Sequence, residues 1–223
     1  LLLYINKNYF KGDYIVIKVL LKTPFGFVLK IESENCYKLD NKYDIYIDDN
    51  YHTTSNKKII SLFNLMPNTN YNIKFLGLNE EELNLKTEDI NYLINIKDYN
   101  AIGDGLCNDT SAINTAIYIA PKGSVIIVPK GVYLVDQILL RSDIDLYLEK
   151  GAKLLQSYNR KNLAILKGYR KNYYHKDAFI NSSWEGNPLD SYCSLIFGKN
   201  IENVRIYGDG IIDGNGEEGQ WWL

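Results

Sequence analysis

Apolar and polar residues alternate in several short runs of the first third of the chain, at residues 14–20, 25–31, 43–47 and 71–76. These runs are rich in β-branched and aromatic residues, polar clusters separate them, and helical periodicity is largely absent. Each therefore predicts a strand that puts one face into a shared core, and strands at this spacing predict a β-sandwich. In residues 65–73 a proline and several polar residues turn the chain just before Tyr71, which opens a strand. That order predicts a tyrosine corner, the phenol hydroxyl reaching back to upstream backbone while the ring packs at the sandwich end. The adjacent carboxylates Asp48 and Asp49 fall in a hairpin-like turn and read as solvated turn formers rather than a catalytic pair. The acidic run at 79–82 predicts a loop between the last strands.

After a linker at 87–89 the pattern changes. A strand at 92–96 leads into a glycine-dense turn at 100–105, and a helix follows. Asp109 or Asn108 can serve as its N-cap, Ala112, Ile113, Ala116, Ile117 and Ala120 fall on one face, and Pro121 and Gly123 end it. Short strands then succeed one another at 125–128, 132–135, 138–140, 144–148 and 152–155, and return at 194–198, 204–208 and 210–214. Segments 143–148 and 203–208 share a polar start and the same alternation, as successive coils of a solenoid would. The pattern predicts an all-β chain of two domains, a β-sandwich over 1–88 and the first coils of a parallel β-helix over 89–223, with the helix capping the open first coil.

Composition narrows the chemistry. With 46% hydrophobic residues the chain can bury a substantial core. Lys+Arg of 25 against Asp+Glu of 27, with neither sign gathered into a long block, gives no footprint for nucleic acid or an anionic membrane. The run Leu1-Leu2-Leu3-Tyr4-Ile5 is too short to span a bilayer, lacks the charged start of a signal peptide and reads as a strand. Cys36, Cys107 and Cys193 form no Cys-x-x-Cys, and His52 and His175 stand alone, so neither a metal site nor a cofactor is expected. Asp143 and Asp145, spaced to share a strand face, read as solvated outward residues, and Asp209 and Asp213 flank structural glycine turns. Glu217 and Glu218 lie in a glycine-rich loop. Between about 157 and 192 a long excursion interrupts the strands. Long ordered loops on rigid scaffolds often carry recognition.

Residues 12–87, with the Leu, Pro, Thr and Tyr of 65–71 at alternating positions, resemble a fibronectin type III module. Gly103-Asp104-Gly105 followed by Asn108-Asp109-Thr110-Ser111-Ala112-Ile113 resembles the opening of the pectin-lyase-like right-handed β-helix superfamily, and the resemblance makes the glycines and Asp109 structural. Val128-Pro129-Lys130-Gly131-Val132-Tyr133, Leu148-Glu149-Lys150-Gly151-Ala152, Ser183-Trp184-Glu185-Gly186-Asn187-Pro188-Leu189-Asp190 and Gly208-Asp209-Gly210-Ile211-Ile212-Asp213-Gly214, with Trp221-Trp222, are together similar to the polygalacturonases of glycoside hydrolase family 28. The Trp-Glu-Gly-Asn-Pro segment and the leading module point to bacterial exo-acting members.

This resemblance implies metal-independent, inverting hydrolysis of α-1,4-linked galacturonate, with polygalacturonate or its oligomers as substrate. It implies catalytic aspartates in Asn-Thr-Asp and Asp-Asp motifs, aided by His-Gly and Arg-x-Lys. None of these motifs occurs in the solenoid half, so no catalytic residue is assigned; the catalytic residues are expected downstream of Leu223, and the chain reads as an N-terminal fragment. Trp184, Glu185 and Asn187 are the candidate substrate-binding residues, Trp184 stacking on a sugar face and the polar pair hydrogen bonding. Equally, Trp184 could pack the loop onto the coil beneath. Pectin being extracellular, a secreted or cell-surface location is expected. Two alternatives stay open: a rhamnogalacturonan-type pectin hydrolase, and a non-catalytic carbohydrate-binding or adhesion β-helix protein.

Overall fold

A computed structural model of the chain describes residues 16–32, 37–78, 81–171, 178–180 and 182–218, which fall into two compact units, Leu1–Asp89 and Ile90–Leu223. The strand expected at 1–5, and Cys36, His175, Trp221 and Trp222, lie outside the described residues.

The first unit contains β1 (Val16–Thr23), β2 (Gly26–Glu32), β3 (Lys38–Ile47), β4 (Asn50–Lys57), β5 (Ile59–Leu62), β6 (Asn70–Leu76) and β7 (Glu81–Lys86). They form two antiparallel sheets, β1-β2-β5 and β4-β3-β6-β7. Alternation explains the core: Phe27, Leu29 and Ile31 of β2 and Tyr43, Ile45, Ile73 and Phe75 of the other sheet are buried in one cluster with Leu62. Tyr71 makes the expected corner, its hydroxyl accepting a hydrogen bond from the Met66 amide at 2.7 Å. Asp48 and Asp49, at φ 48° and 62°, form the β3–β4 hairpin turn as expected. The Asp48 carboxylate accepts from the Asn72 amide at 2.8 Å, and Asp49 pairs with Lys74 at 2.5 Å.

One expectation fails here, and one strand goes unannounced. The acidic run is not wholly a loop, because Glu81 and Glu82 open β7. The polar segment Asn50–Lys57 is a strand although nothing in its pattern announces one. As an edge strand it needs no buried face and is held by backbone pairing to β3.

The second unit runs β8 (Tyr92–Asn95), β9 (Asp104–Asn108), α1 (Thr110–Ile119), β10 (Ser124–Val128), β11 (Gly131–Val135), β12 (Ile138–Leu139), β13 (Ile144–Leu148) and β14 (Ala152–Gln156). Six short strands follow, β15 (Ile165–Leu166), β16 (Tyr169–Lys171), β17 (Ala178–Ile180), β18 (Ser183–Trp184), β19 (Asn187–Pro188) and β20 (Ser191–Tyr192). Then come β21 (Ile196–Phe197), β22 (Val204–Gly208) and β23 (Ile211–Asp213). Strands of successive coils stack in parallel as β8-β10-β13-β22, as β9-β11-β14-β23 and as β12-β21, which is the start of a parallel β-helix.

Register makes the core a set of ladders. Ile94, Ile126, Leu146 and Ile206 align across four coils, and Ile126 and Leu146 in the middle are fully buried, each burial worth about 1.5–3 kcal/mol. Ile206, in the last coil among the described residues, is 41% exposed.

α1 buries Ile113, Ala116 and Ile117, the face the sequence indicates. It takes the place in the first coil that β12 holds in the second. Asn114 turns the helix into an edge for β12, its side-chain amide donating to Gln137 O at 2.8 Å and accepting from Leu139 N at 2.9 Å, as a neighbouring strand would. The N-cap position falls on Asp109, one of the two residues expected there, without a side-chain cap bond. Its buried carboxylate accepts instead from the amides of Ile102 at 2.6 Å and Gly103 at 3.0 Å. Asn108 Oδ1 takes the Thr110 amide at 3.0 Å. Asp104 and Gly105, expected in a turn, begin β9, where a register irregularity against β11 accommodates the glycine. Gly103 itself is at φ 69°, and a Cβ there would sit 2.7 Å from the Tyr133 ring.

Candidate functional site

The second coil passes from β11 to β12 in Asp136-Gln137, whereas the third coil makes the same passage from β14 to β21 through residues 157–195. Ile138 still pairs with Ile196 and Leu139 with Phe197, so this arm leaves and rejoins the solenoid without shifting its register.

The arm has its own frame. β15 pairs antiparallel with β20 at its base, β16 with β17, and β18 with β19. Asp190 locks the base, pairing with Lys167 Nζ at 2.6 Å and accepting from the Gly168 amide at 2.9 Å. The Lys167 ammonium foremost, then the Gly168 N–H, hold the Asp190 carboxyl below the usual carboxylate range. Gly168 is sterically required, since a Cβ would lie 2.4 Å from Leu189 N. Where the arm rejoins the coil, the Cys193 amide donates to Ala164 O at 2.8 Å, and burial pushes the Cys193 thiol up.

At the second hairpin of the arm Trp184 faces Asn187 across β18 and β19, while Glu185 (φ 48°) and Gly186 (φ 82°) make the turn. Both turn residues have positive φ, the two-residue geometry that matches strand twist and favours glycine. The structure thus gathers the three candidate binding residues at one tip, all exposed. Trp184 is 68% exposed, so its ring is not packed onto the coil beneath. Tyr158, Tyr169 and Tyr192 of the arm also present exposed rings.

The carboxylates weighed from sequence are dispersed. Asp143 does not share a strand face with Asp145: it occupies a left-handed position (φ 60°) before β13, where its carboxylate accepts from Asn203 Nδ2 at 2.9 Å and pairs with Lys122 at 3.1 Å. Those two contacts, Asn203 first, lower its pKa. Nor is Asp145 solvated. It is 6% exposed and held by Arg205 through Nε at 2.8 Å and Nη2 at 2.6 Å, with the Tyr207 hydroxyl donating at 3.2 Å. The partner Arg205 lies in the next coil at the same register, a pairing the sequence conceals because 60 positions separate the two.

Asp213 pairs with Lys153 at 2.6 Å and accepts from the Asn215 amide at 2.8 Å, and both lower its pKa, Lys153 foremost. Asp209, Glu217 and Glu218 are exposed. Among the described residues, every carboxyl group with a displaced pKa is displaced downward. A general acid needs the opposite shift, so none of these groups is tuned for that role. No group of three His, Cys, Asp or Glu side chains among the described residues could hold a metal, and no helix among them is long and apolar enough to cross a membrane.

Motif reading singles out the hairpin tip but misses its supports, Asp190 and Gly168, whose mutual contact spans 22 positions.

Residues 93–219, more than half of the chain, match the family described as rhamnogalacturonase A/epimerase, pectate lyase-like. The chain is 39% identical over 126 residues to an exo-poly-alpha-D-galacturonosidase of Dickeya chrysanthemi, covering 56% of this chain and 20% of that protein. It is 33% identical over 131 residues to a probable polygalacturonase of Vitis vinifera, covering 56% of this chain and 24% of that protein. Its fold resembles that of a family 28 exopolygalacturonase of Yersinia enterocolitica, with a TM-score of 0.57 at 22% identity over 91% of this chain and 41% of that one. The chain thus spans about a fifth to a quarter of the length of the two sequence relatives.

Proposed function

The chain belongs to the rhamnogalacturonase A/epimerase, pectate lyase-like family, and from that premise we propose that it is part of an inverting, exo-acting hydrolase of α-1,4-galacturonosyl linkages in pectic polysaccharide. The observation that carries this reading is the 39% identity to an exo-poly-alpha-D-galacturonosidase over 126 residues. In such a reaction one carboxylic acid protonates the leaving oxygen while a second carboxylate activates water on the opposite face of the sugar, the two standing about 6.5–9.5 Å apart. Asp143, Asp145, Asp190 and Asp213 are tied to cations, and Asp209, Glu217 and Glu218 lie exposed, so the acid and base are proposed to come from coils beyond Leu223.

In this reading the arm contributes the substrate-binding residues. Trp184 stacks on a sugar face, and Glu185 and Asn187 at the same hairpin tip hydrogen bond to hydroxyls. The exposure of all three on a framed arm supports it. The first unit is proposed as a fibronectin type III-like module over 1–88, a spacer or accessory surface. Its three-plus-four antiparallel arrangement and the Tyr71 corner support that assignment.

The deciding experiment expresses the reading frame past Leu223 beside the 223-residue chain and follows products from polygalacturonic acid. Monomeric galacturonate from the long form alone is expected. A ladder of oligomers would overturn exo action, and no release would overturn the hydrolase. One observation favours a second reading: the matched family is described by a rhamnogalacturonase. Release from rhamnogalacturonan in place of polygalacturonate would establish it.

A further inference from the structure

In the first unit, Tyr43, Ile45, Ile73, Phe75 and Leu83 of the sheet β4-β3-β6-β7 fill the core, so the alternate residues of its strands face outward in rows. Tyr51, Tyr46, Lys74 and Glu82 pair across the four strands in one row. At the usual strand spacing that row spans about 14 Å, long enough to seat more than one sugar ring. Thr54, Asp44 and Leu76 form the row on one side, and Asn72 with Asn84 the row on the other.

The middle row is built around two rings. Tyr46 and Tyr51 meet edge to face with centroids 5.7 Å apart, and Tyr51 is 59% exposed. Their polar neighbours hold one another. The Tyr51 hydroxyl lies 2.9 Å from Thr54 Oγ1, Thr54 donates to Asp44 at 2.5 Å, and Asn72 Nδ2 donates to Asn84 Oδ1 at 3.0 Å and to Glu82. Groups fixed in this way lose little freedom on binding.

Charge selects the occupant. Around the rings stand the carboxylates of Asp44, Asp49 and Glu82, and the ammonium beside them, Lys74, is already held by Asp49 at 2.5 Å. The next cations on β3 and β7, Lys42 and Lys86, lie four residues from Tyr46 and Glu82, about 13 Å along the strands. A polyuronate would bring like charge against this face. A protein partner favours a contact centre depleted in charge, whereas here Lys74 and Glu82 sit in the ring row itself. An uncharged sugar chain suits both features, because its apolar faces stack on aromatic rings and its hydroxyls donate to carboxylates.

We propose that the outward face of the sheet β4-β3-β6-β7 binds an uncharged polysaccharide, with Tyr51 and Tyr46 under the sugar faces and Asp44, Glu82 and Asn84 on the hydroxyls. This gives a ligand to the unit described above as a spacer or accessory surface, and it stands or falls apart from the hydrolase reading. Tyr51 lies exposed on an edge strand, so its replacement leaves the core of the unit intact.

The test follows retardation of the 223-residue chain in native gels that hold galactan, arabinan, hydroxyethylcellulose or polygalacturonate, at low and high salt. Expected is binding to at least one of the three uncharged polymers that salt leaves unchanged. It should weaken about tenfold in Tyr51→Ala, as loss of one ring contact would give, and stay near the parent value in Tyr51→Phe, where the ring remains. Circular dichroism checks that both variants are folded. Retardation by none of the uncharged polymers overturns the proposal. So does an equal loss of polygalacturonate binding in Tyr51→Ala, the face being then indifferent to charge. A loss in Trp184→Ala without one in Tyr51→Ala also overturns it, moving the binding to the arm. Monomer release from polygalacturonic acid by the longer frame judges the hydrolase separately.

Discussion

Tyr133 shows how a single buried group serves the solenoid at some cost. Its ring fills the space that Gly103 and Gly131 leave open, with Lys97 Nζ 5.1 Å from the ring centroid, yet its fully buried hydroxyl has no hydrogen-bond partner among the described residues. Burial foremost, with the Asp109 and Glu149 carboxylates adding to it, pushes the phenol up to about 12. Replacing the residue by Phe keeps the shape and removes a desolvated polar atom. Tyr133→Phe is therefore expected to raise unfolding stability by about 1 kcal/mol, measured by urea denaturation. It should also remove a tyrosine that ionises near pH 12 from an ultraviolet titration. A clear loss of stability would mean that the hydroxyl has a partner after all.

At the scale of elements, the arm and the solenoid are held by different forces. Ladders of Ile and Leu at matched register stabilise the coils, whereas the arm depends on short pairings and on one place where only glycine fits. In Gly168→Ala the new methyl would meet the Leu189 backbone at 2.4 Å, where nothing flexible can yield. The expected result is an arm opened to limited proteolysis within residues 157–195, with cleavage about tenfold faster or more, because local opening costs less once its frame is strained. The main thermal transition should move by no more than about 1 kcal/mol in equivalent stability. A variant as resistant as the parent would show that the Asp190 clamp alone secures the base.

For the whole molecule, charge ties the later coils together and sets a direction for pH. Asp143 and Asp213 bond to partners in neighbouring coils or across the second sheet, and both have depressed pKa values when folded. A depressed folded pKa contributes stability that is present above the unfolded value, about 3.9, and is lost as pH falls through the folded one. Melting temperature is thus expected to hold level from neutrality to about pH 5 and to drop below about pH 4. In Asp143→Asn the drop should be shallower, as followed by circular dichroism. An identical acid limb in parent and variant would exclude Asp143 from the effect.

The sequence by itself determined the strands whose one face must be buried, the helix with its Ile113 and Ile117 stripe, the tyrosine corner and the family likeness, because each depends on residues a few positions apart. It could not announce β4, whose side chains need no buried face, nor β9, hidden among glycines. Only the tertiary structure decided that Asp145 pairs with Arg205 rather than with water, that the Asp109 carboxylate staples the Gly103 turn instead of bonding the first turn of the helix, and that the candidate binding residues share one exposed hairpin on the arm. Those outcomes depend on which coil lies above which, and stacking joins residues far apart in the chain through register, which local pattern does not encode.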